Sequence, residues 1–344
     1  MPVSTLGKPY IIAEIGANHN GDMDLAKQLI EAAKLSGADC VKFQSWTKDS
    51  IFAKVKYEEN HFLADDYRNR TDYTLEEIVD EFSVSEQELS LLKSIADELE
   101  IDFSCTPFSE PEAKFLVEQL DIPFIKIASM DVNNYPFLDY VARLGKPIVL
   151  STGLSTLSEI DRAISTIEAT GNLDLSILHC IAEYPPEDEN TNLNNIVTLK
   201  NCFPNYTIGF SDHSIGTCLP LASVALGAQI IEKHFTLDKD MFGWDHKVSA
   251  TPDELSAICE GSRRIAAAMG TFRISSPENN ERKSEFRRSI VTTKAINKGH
   301  VFTADDLTFK RPGTGIKPEF CEMIIGRSAQ RDIGQDELLT PDDF

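Results

Sequence analysis

No stretch of this sequence approaches the roughly 18 consecutive apolar residues that a membrane-crossing helix needs. The opening residues, MPVSTLGKPYIIAEIG, lack the basic-then-apolar order of a secretory signal and read as the start of a first strand. Cysteines occur without a pairing pattern. There are seven, an odd number, at Cys40, Cys105, Cys180, Cys202, Cys218, Cys259 and Cys321, and no two are spaced as C-x-x-C. That argues against a disulfide framework and against a cysteine-built structural zinc site. Most sit in apolar runs, where a thiol packs as a small hydrophobe, so a reducing cytoplasm is the expected compartment. Positive charge is also scarce: 33 Lys and Arg stand against 55 Asp and Glu, a net charge of −22. Nucleic acid and anionic membrane surfaces would be repelled. A small anionic substrate would not, because a few lysines in one cleft outweigh a distant field that salt screens.

What the 344 residues do contain is alternation. Short β-branched runs take turns with amphipathic helical patterns such as DLAKQLIEAAKLSG and SEQELSLLKSIADELE, the mark of βα units. Eight strands are predicted, at Tyr10–Gly16, Asp39–Trp46, Asp102–Phe108, Phe124–Ser129, Pro147–Gly153, Leu175–Cys180, Thr207–His213 and Ile230–Phe235. Eight such units in about 250 residues point to an α/β fold of the closed (β/α)8 TIM-barrel type rather than an open doubly wound sheet. The barrel is expected over residues 1–270, a polar linker over 271–288 and a small β-rich domain over 289–344, with Thr303 capping a turn. Two connections are unusually polar: the long Thr47–Asp80 insertion, expected to be a lid or an assembly element, and Leu237–Thr251 after the eighth strand.

Polar residues gather where a barrel places its chemistry, at the carboxyl ends of the strands. Glu14, Lys42, Gln44, Thr106, Lys126, Ser129, Ser151, Thr152, Ser211, His213, Glu232 and His234 all lie there. The pairs Lys42/Gln44, Ser211/His213 and Glu232/His234 are two apart, so each pair points to one face of its strand. His213 and His234, on neighbouring strands, have the chemistry to give two nitrogen ligands to a divalent ion; read alone, either is more often a hydrogen-bonded core or loop histidine. Glu14 fits a metal-site or acid–base carboxylate, or one that caps backbone amides. Lys42, Lys126, Thr106, Ser129 and Ser151 are the donors that cradle phosphate or carboxylate. The alternative for the lysines is a structural salt bridge to Glu14 or Glu232.

The ordered motifs AEIGANHNG, VKFQ, CTPF, FIKIAS, LSTG, LHC-x-x-x-YP, GFSDH and EKHFT resemble the sialic acid synthases and their legionaminic and pseudaminic relatives. The tail with KRPGTG resembles the C-terminal antifreeze-like (SAF) domain of that family. The resemblance spans nearly the whole chain. It implies condensation of phosphoenolpyruvate with an open-chain N-acetylated amino sugar, N-acetylmannosamine or a 2,4-diacetamido-trideoxyhexose, to a nine-carbon 2-keto acid. It implies that His213 and His234 bind manganese or magnesium. By the same resemblance Lys42, Thr106, Lys126, Ser129, Ser151 and Ser211 hold phosphoenolpyruvate, while Glu14, Gln44, Tyr184 and Asp245 contact the open-chain sugar or the metal-bound water. Arg311, in KRPG, is expected to reach a partner's barrel, which implies a domain-swapped homodimer. Two positions depart from the sialic pattern: Asp131 stands where Glu is usual and Ala182 where Asn is common, and Glu183–Tyr184 resembles the legionaminic type. Two other readings are a synthase acting on a phosphorylated sugar, as in keto-octulosonate synthesis, and a non-catalytic glycan-binding protein. The first would require more basic residues near the sugar end than ENTNLN and DMFGWDH provide.

Overall fold

The computed structural model describes residues 8–59, 74–274 and 277–344 and divides into two compact units, Met1–Gly270 and Thr271–Phe344. In the first unit eight parallel strands close into a barrel: β1 (Tyr10–Gly16), β2 (Cys40–Ser45), β3 (Asp102–Pro107), β4 (Ile125–Ile127), β5 (Ile148–Ser151), β6 (Leu175–Cys180), β7 (Thr207–Asp212) and β8 (Ile230–His234). β8 returns to pair with β1, so the sheet has no edge to protect. All eight expected strands are present, each trimmed by no more than a few residues. β4 and β5 are shortened most, by three residues each; at the end of β4, Ser129 belongs to a 3-10 turn, Ser129–Asp131, because its hydroxyl accepts the Gly153 amide at 2.9 Å and draws the chain off the ladder.

The two amphipathic patterns form helices at Met23–Leu35 and Glu86–Glu98. Each starts on a side chain that satisfies amides left free by the first helical turn. Asp22 accepts from Asp24 and Leu25, while Ser85 and Glu88 make a reciprocal capping box. The apolar faces of these helices bury Leu29, Ile30, Leu89 and Leu92 against strand residues such as Ile11, Val41 and Phe103. Strand residues of the opposite parity face the barrel axis. Ile12, Cys40, Phe124, Val149, Leu178 and Ile230 form a separate buried cluster there, a plug that closes the amino-terminal end. Gly209 belongs to this layer for a steric reason: a Cβ would stand 2.4 Å from Leu178 and 2.5 Å from the Ile230 carbonyl.

Two residues further along, the same inward parity turns polar, with Glu14, Lys42, Lys126, Ser151 and Glu232, while β6 places Cys180 there. A third cluster, with Trp46, Trp244, Phe82 and Ile78, lies where the chain leaves β2 and β8. It packs the helix Leu75–Glu81, the far end of the expected insertion, against the first and last loops of the barrel. Residues 60–73 of that insertion lie outside the described residues. Among the described residues no helix is long and apolar enough to cross a membrane.

In the second unit β9 (Ser289–Thr292) and β10 (Leu307–Lys310) pair antiparallel around a small core of Ile290, Ile296, Phe302, Leu307, Ile324, Ile333 and Leu339. Thr303 caps the turn Ala304–Asp306 in a capping box with Asp306, as its position suggested. The polar stretch read as a linker holds a helix, Asn280–Phe286, started by the Asn279 side chain on the Arg282 amide.

Candidate active site

Above the apolar plug, inward-facing charges meet in one row. Lys42 Nζ lies 2.6 Å from Glu14 Oε2, 3.8 Å from Glu232 Oε2 and 2.9 Å from Thr106 Oγ1. Lys126 Nζ lies 3.6 Å from Glu232 Oε1, which also accepts the Ser211 hydroxyl at 2.9 Å. Gln44 donates its amide to Glu14 Oε1 at 2.7 Å. All four charged groups are buried. Removing two ammonium and two carboxylate groups from water is costly, and pairing with additional hydrogen bonds offsets that cost.

Two alternatives left open by the sequence narrow here. The Glu14 carboxylate is bound to Lys42 and Gln44 rather than capping backbone amides. The lysines do form ion pairs with Glu14 and Glu232, yet those pairs sit at the open end of the barrel, in the layer where an anion would be held.

The two carboxylates are driven apart in acidity. Burial pushes Glu14 up to about 7, against the pull of Lys42 and with the help of Glu232. For Glu232 burial also favours the neutral acid, but Lys126, Lys42 and the Ser211 hydroxyl win and hold it below the usual range. Lys126 is lowered by burial, whereas Lys42 overcomes its own burial through Glu14 and Glu232 and is raised. The Ser151 hydroxyl is buried and has no hydrogen-bond partner among the described residues, a donor open to a ligand.

Beside this row stand the two histidines, with ring centroids 5.3 Å apart. His213 follows β7 directly; its Nδ1 bonds the Ile181 carbonyl at 2.7 Å, which leaves Nε2 as the free ring nitrogen. Burial opposes protonation of His213, but the Cys180 sulfur 4.0 Å away and the Ile181 carbonyl raise its pKa. His234 ends β8, and its buried Nδ1 has no hydrogen-bond partner among the described residues. Burial and the nearby His213, Lys42 and Lys233 charges hold His234 well below the ordinary histidine value, so it is neutral and its nitrogens are available. Asp245 Oδ2 is 3.8 Å from His234 Nδ1, and burial pushes that carboxyl up to about 6. The orphaned buried nitrogen of His234, beside the free Nε2 of His213, fits a divalent ion, whose charge would favour the deprotonated form of both rings. Among the described residues no set of three or more His, Cys, Asp or Glu side chains is spaced as a ready cage. The pair therefore offers a two-ligand, open arrangement.

The remaining expected residues are placed as follows. The Tyr184 ring stacks on His213, centroids 4.0 Å apart, and is 51% exposed at the mouth. Asp131 is half-buried after β4; Asn134 donates to it at 3.0 Å, and burial raises its carboxyl. Ser129 reaches the β5 loop through Gly153, where a Cβ would stand 2.8 Å from its hydroxyl and 3.4 Å from Ala182. Arg311 belongs to the second unit, just after β10, with its guanidinium 5.0 Å from the Phe286 ring centroid. Sequence reasoning gave Glu232 no function, although it joins both lysines and Ser211. Its spacing of two from His234 was the available signal. Asp212 and Lys233, outward-facing charges beside the two histidines, were overlooked.

The chain matches the NeuB family over residues 29–273 and the SAF domain over residues 287–344. It is 40% identical over 339 residues to the N,N'-diacetyllegionaminic acid synthase of Campylobacter jejuni, covering 96% of this chain and 99% of that one. It is 34% identical over 337 residues to a pseudaminic acid synthase of the same species, covering 98% and 97% respectively. Among solved structures, the N-acetylneuraminic acid synthetase of Leptospira borgpetersenii in complex with citrate superposes with a TM-score of 0.71 at 33% identity, covering 80% of this chain and 90% of that one. A closed eight-stranded barrel with this inward polar row, continuous with an SAF tail, places the chain in the NeuB family of sialic-acid-type synthases.

Proposed function

We propose that the chain condenses phosphoenolpyruvate with the open-chain aldehyde of an N-acetylated amino sugar, giving a nine-carbon 2-keto acid and inorganic phosphate. The observation behind this reading is the buried row Lys42–Glu232–Lys126 lying beside paired, uncharged-capable imidazoles at the carboxyl end of the barrel. The acceptor we favour is a 2,4-diacetamido-trideoxyhexose over N-acetylmannosamine, from the similarity to the legionaminic acid synthase and from Glu183–Tyr184. Seven free cysteines are in keeping with a cytoplasmic enzyme.

In this mechanism Lys42 and Lys126 neutralise the three-carbon phosphate, Thr106, Ser129 and Ser151 donate to its oxygens, and Ser211 joins them by turning its hydroxyl away from Glu232. Mn2+ or Mg2+ held by His213 and His234 would supply Lewis-acid polarisation of the sugar aldehyde. Gln44, Tyr184 and Asp245 orient the sugar so that the methylene carbon of phosphoenolpyruvate can bond to the aldehyde carbon. That step leaves positive character at the enol carbon. The former aldehyde oxygen takes up the broken C=O electron pair; water adds at the enol carbon, and its proton passes through Glu14 or Asp131, both raised by burial, to that oxygen, which becomes the new hydroxyl. The added hydroxyl becomes the ketone as the carbon–oxygen bond to phosphate breaks, its proton leaving with the phosphate, and the two ammonium groups stabilise the departing anion. The partner subunit's Arg311 contacts the acyl group of the sugar, which makes the working form a domain-swapped homodimer.

The test is phosphate release from phosphoenolpyruvate with each candidate amino sugar, with a phosphorylated pentose, and with divalent ion present or chelated. Release with an acetamido sugar, lost on chelation, supports the proposal. Release only with the phosphorylated sugar, or none with any acceptor, overturns it.

A further inference from the structure

Two charged side chains beside the histidines take no part in the pocket. Asp212 and Lys233 lie on the outer faces of β7 and β8, directly opposite one another in the parallel register, and both are fully shielded from solvent. Lys233 Nζ is 2.7 Å from Asp212 Oδ2 and also donates to the Ser214 carbonyl. The other Asp212 oxygen accepts the Ser214 amide at 2.9 Å. Such a pair gives up two hydration shells, and apolar residues of similar volume hold two strands together at least as well. Its content is therefore geometric.

The geometry concerns His213. The ladder between β7 and β8 ends on the row Asp212/Lys233, and β7 itself ends at Asp212, so His213 lies past the last rung. The ion pair takes over where the ladder stops. It grips residues 212 and 214 on either side of His213 and, through Lys233, the residue before His234. Because side chains alternate along a strand, holding 212 and 233 outward turns 211, 213, 232 and 234 inward. On the inner face the Ser211–Glu232 bond at 2.9 Å ties the row beneath the imidazoles.

We infer that the Asp212–Lys233 pair is a positioning device that sets the separation and aim of His213 and His234. The inference rests on the proposal that these imidazoles share a divalent ion. Partners lying behind metal-binding histidines commonly change metal affinity by about 10- to 100-fold when replaced.

Full-length protein stripped of divalent ions is titrated with Mn2+ by calorimetry and its thermal midpoint recorded, for wild type, Asp212→Leu/Lys233→Met and Asp212→Asn/Lys233→Gln. The Leu/Met pair is expected to melt near wild type yet bind Mn2+ at least about tenfold more weakly. The Asn/Gln pair, which keeps hydrogen bonds without charge, should fall between the two and remains informative if the Leu/Met protein fails to fold. Wild-type affinity in the folded double variants overturns the positioning role while leaving the ion proposal intact. Absence of Mn2+ binding by the wild type overturns the ion proposal, and the positioning role with it.

Discussion

The ammonium of Lys42 lies 2.6 Å from the carboxylate of Glu14 inside the barrel, with neither side chain open to solvent. Removing one partner of such a pair leaves an uncompensated buried charge. Lys42→Met should therefore lose about 3–5 kcal/mol of stability, read from urea denaturation, together with nearly all phosphate release. Adding Glu14→Gln should return much of the stability and none of the activity. Recovery of both would reduce Lys42 to a structural ion.

Replacing His213 or His234 with Ala should abolish divalent-dependent turnover while the far-UV spectrum stays that of the wild type. The rings contribute nitrogens and little core volume, so the barrel should survive. Turnover in either variant that persists after chelation would refute their assignment as ligands.

Arg311 lends itself to mixing. In a domain-swapped dimer, His213→Ala and Arg311→Ala chains, each impaired alone, should form heterodimers carrying one intact site. Full exchange should recover about one quarter of wild-type activity. No recovery after subunit exchange, verified by native mass spectrometry, would place Arg311 outside the partner's site.

Asp306 offers a pH test in the second unit. Burial works against its ionisation, yet Lys294, His300 and Thr303 surround the carboxylate and hold its pKa well below the ordinary range. A group depressed in this way stabilises the fold above the unfolded-state value of about 4 and loses that contribution as pH falls through the folded value. Asp306→Asn should therefore lower the melting temperature at pH 7 and converge with wild type in strong acid. A constant difference from neutral to strongly acidic pH would assign its role to shape rather than charge.

The strands were readable from sequence because parallel barrel strands are buried on both faces, which leaves short apolar runs such as YIIA and PIVL. Lys42, Lys126 and the two histidines stood out because they interrupt those runs at the carboxyl end. Ser129 was placed on a strand because nothing local announces its bond to Gly153, a residue one βα unit away. Asp212 and Lys233 were invisible for a similar reason. Each looks like an ordinary surface charge until the register sets them opposite one another. The helix Asn280–Phe286 has no buried face, so its segment lacks the apolar periodicity that would have marked it.

The pairing of β1 with β8 makes Glu14 a ladder neighbour of His234. A ribosome therefore releases Glu14 long before the strand that completes its surroundings exists. A nascent chain that has passed β4 but not reached β8 carries Lys42 and Lys126 with the carboxylate of Glu232 still unmade, and no half-barrel can hold the charge balance of the finished row. Truncations that remove β8 should accordingly leave no residual catalyst, however much of the barrel they keep.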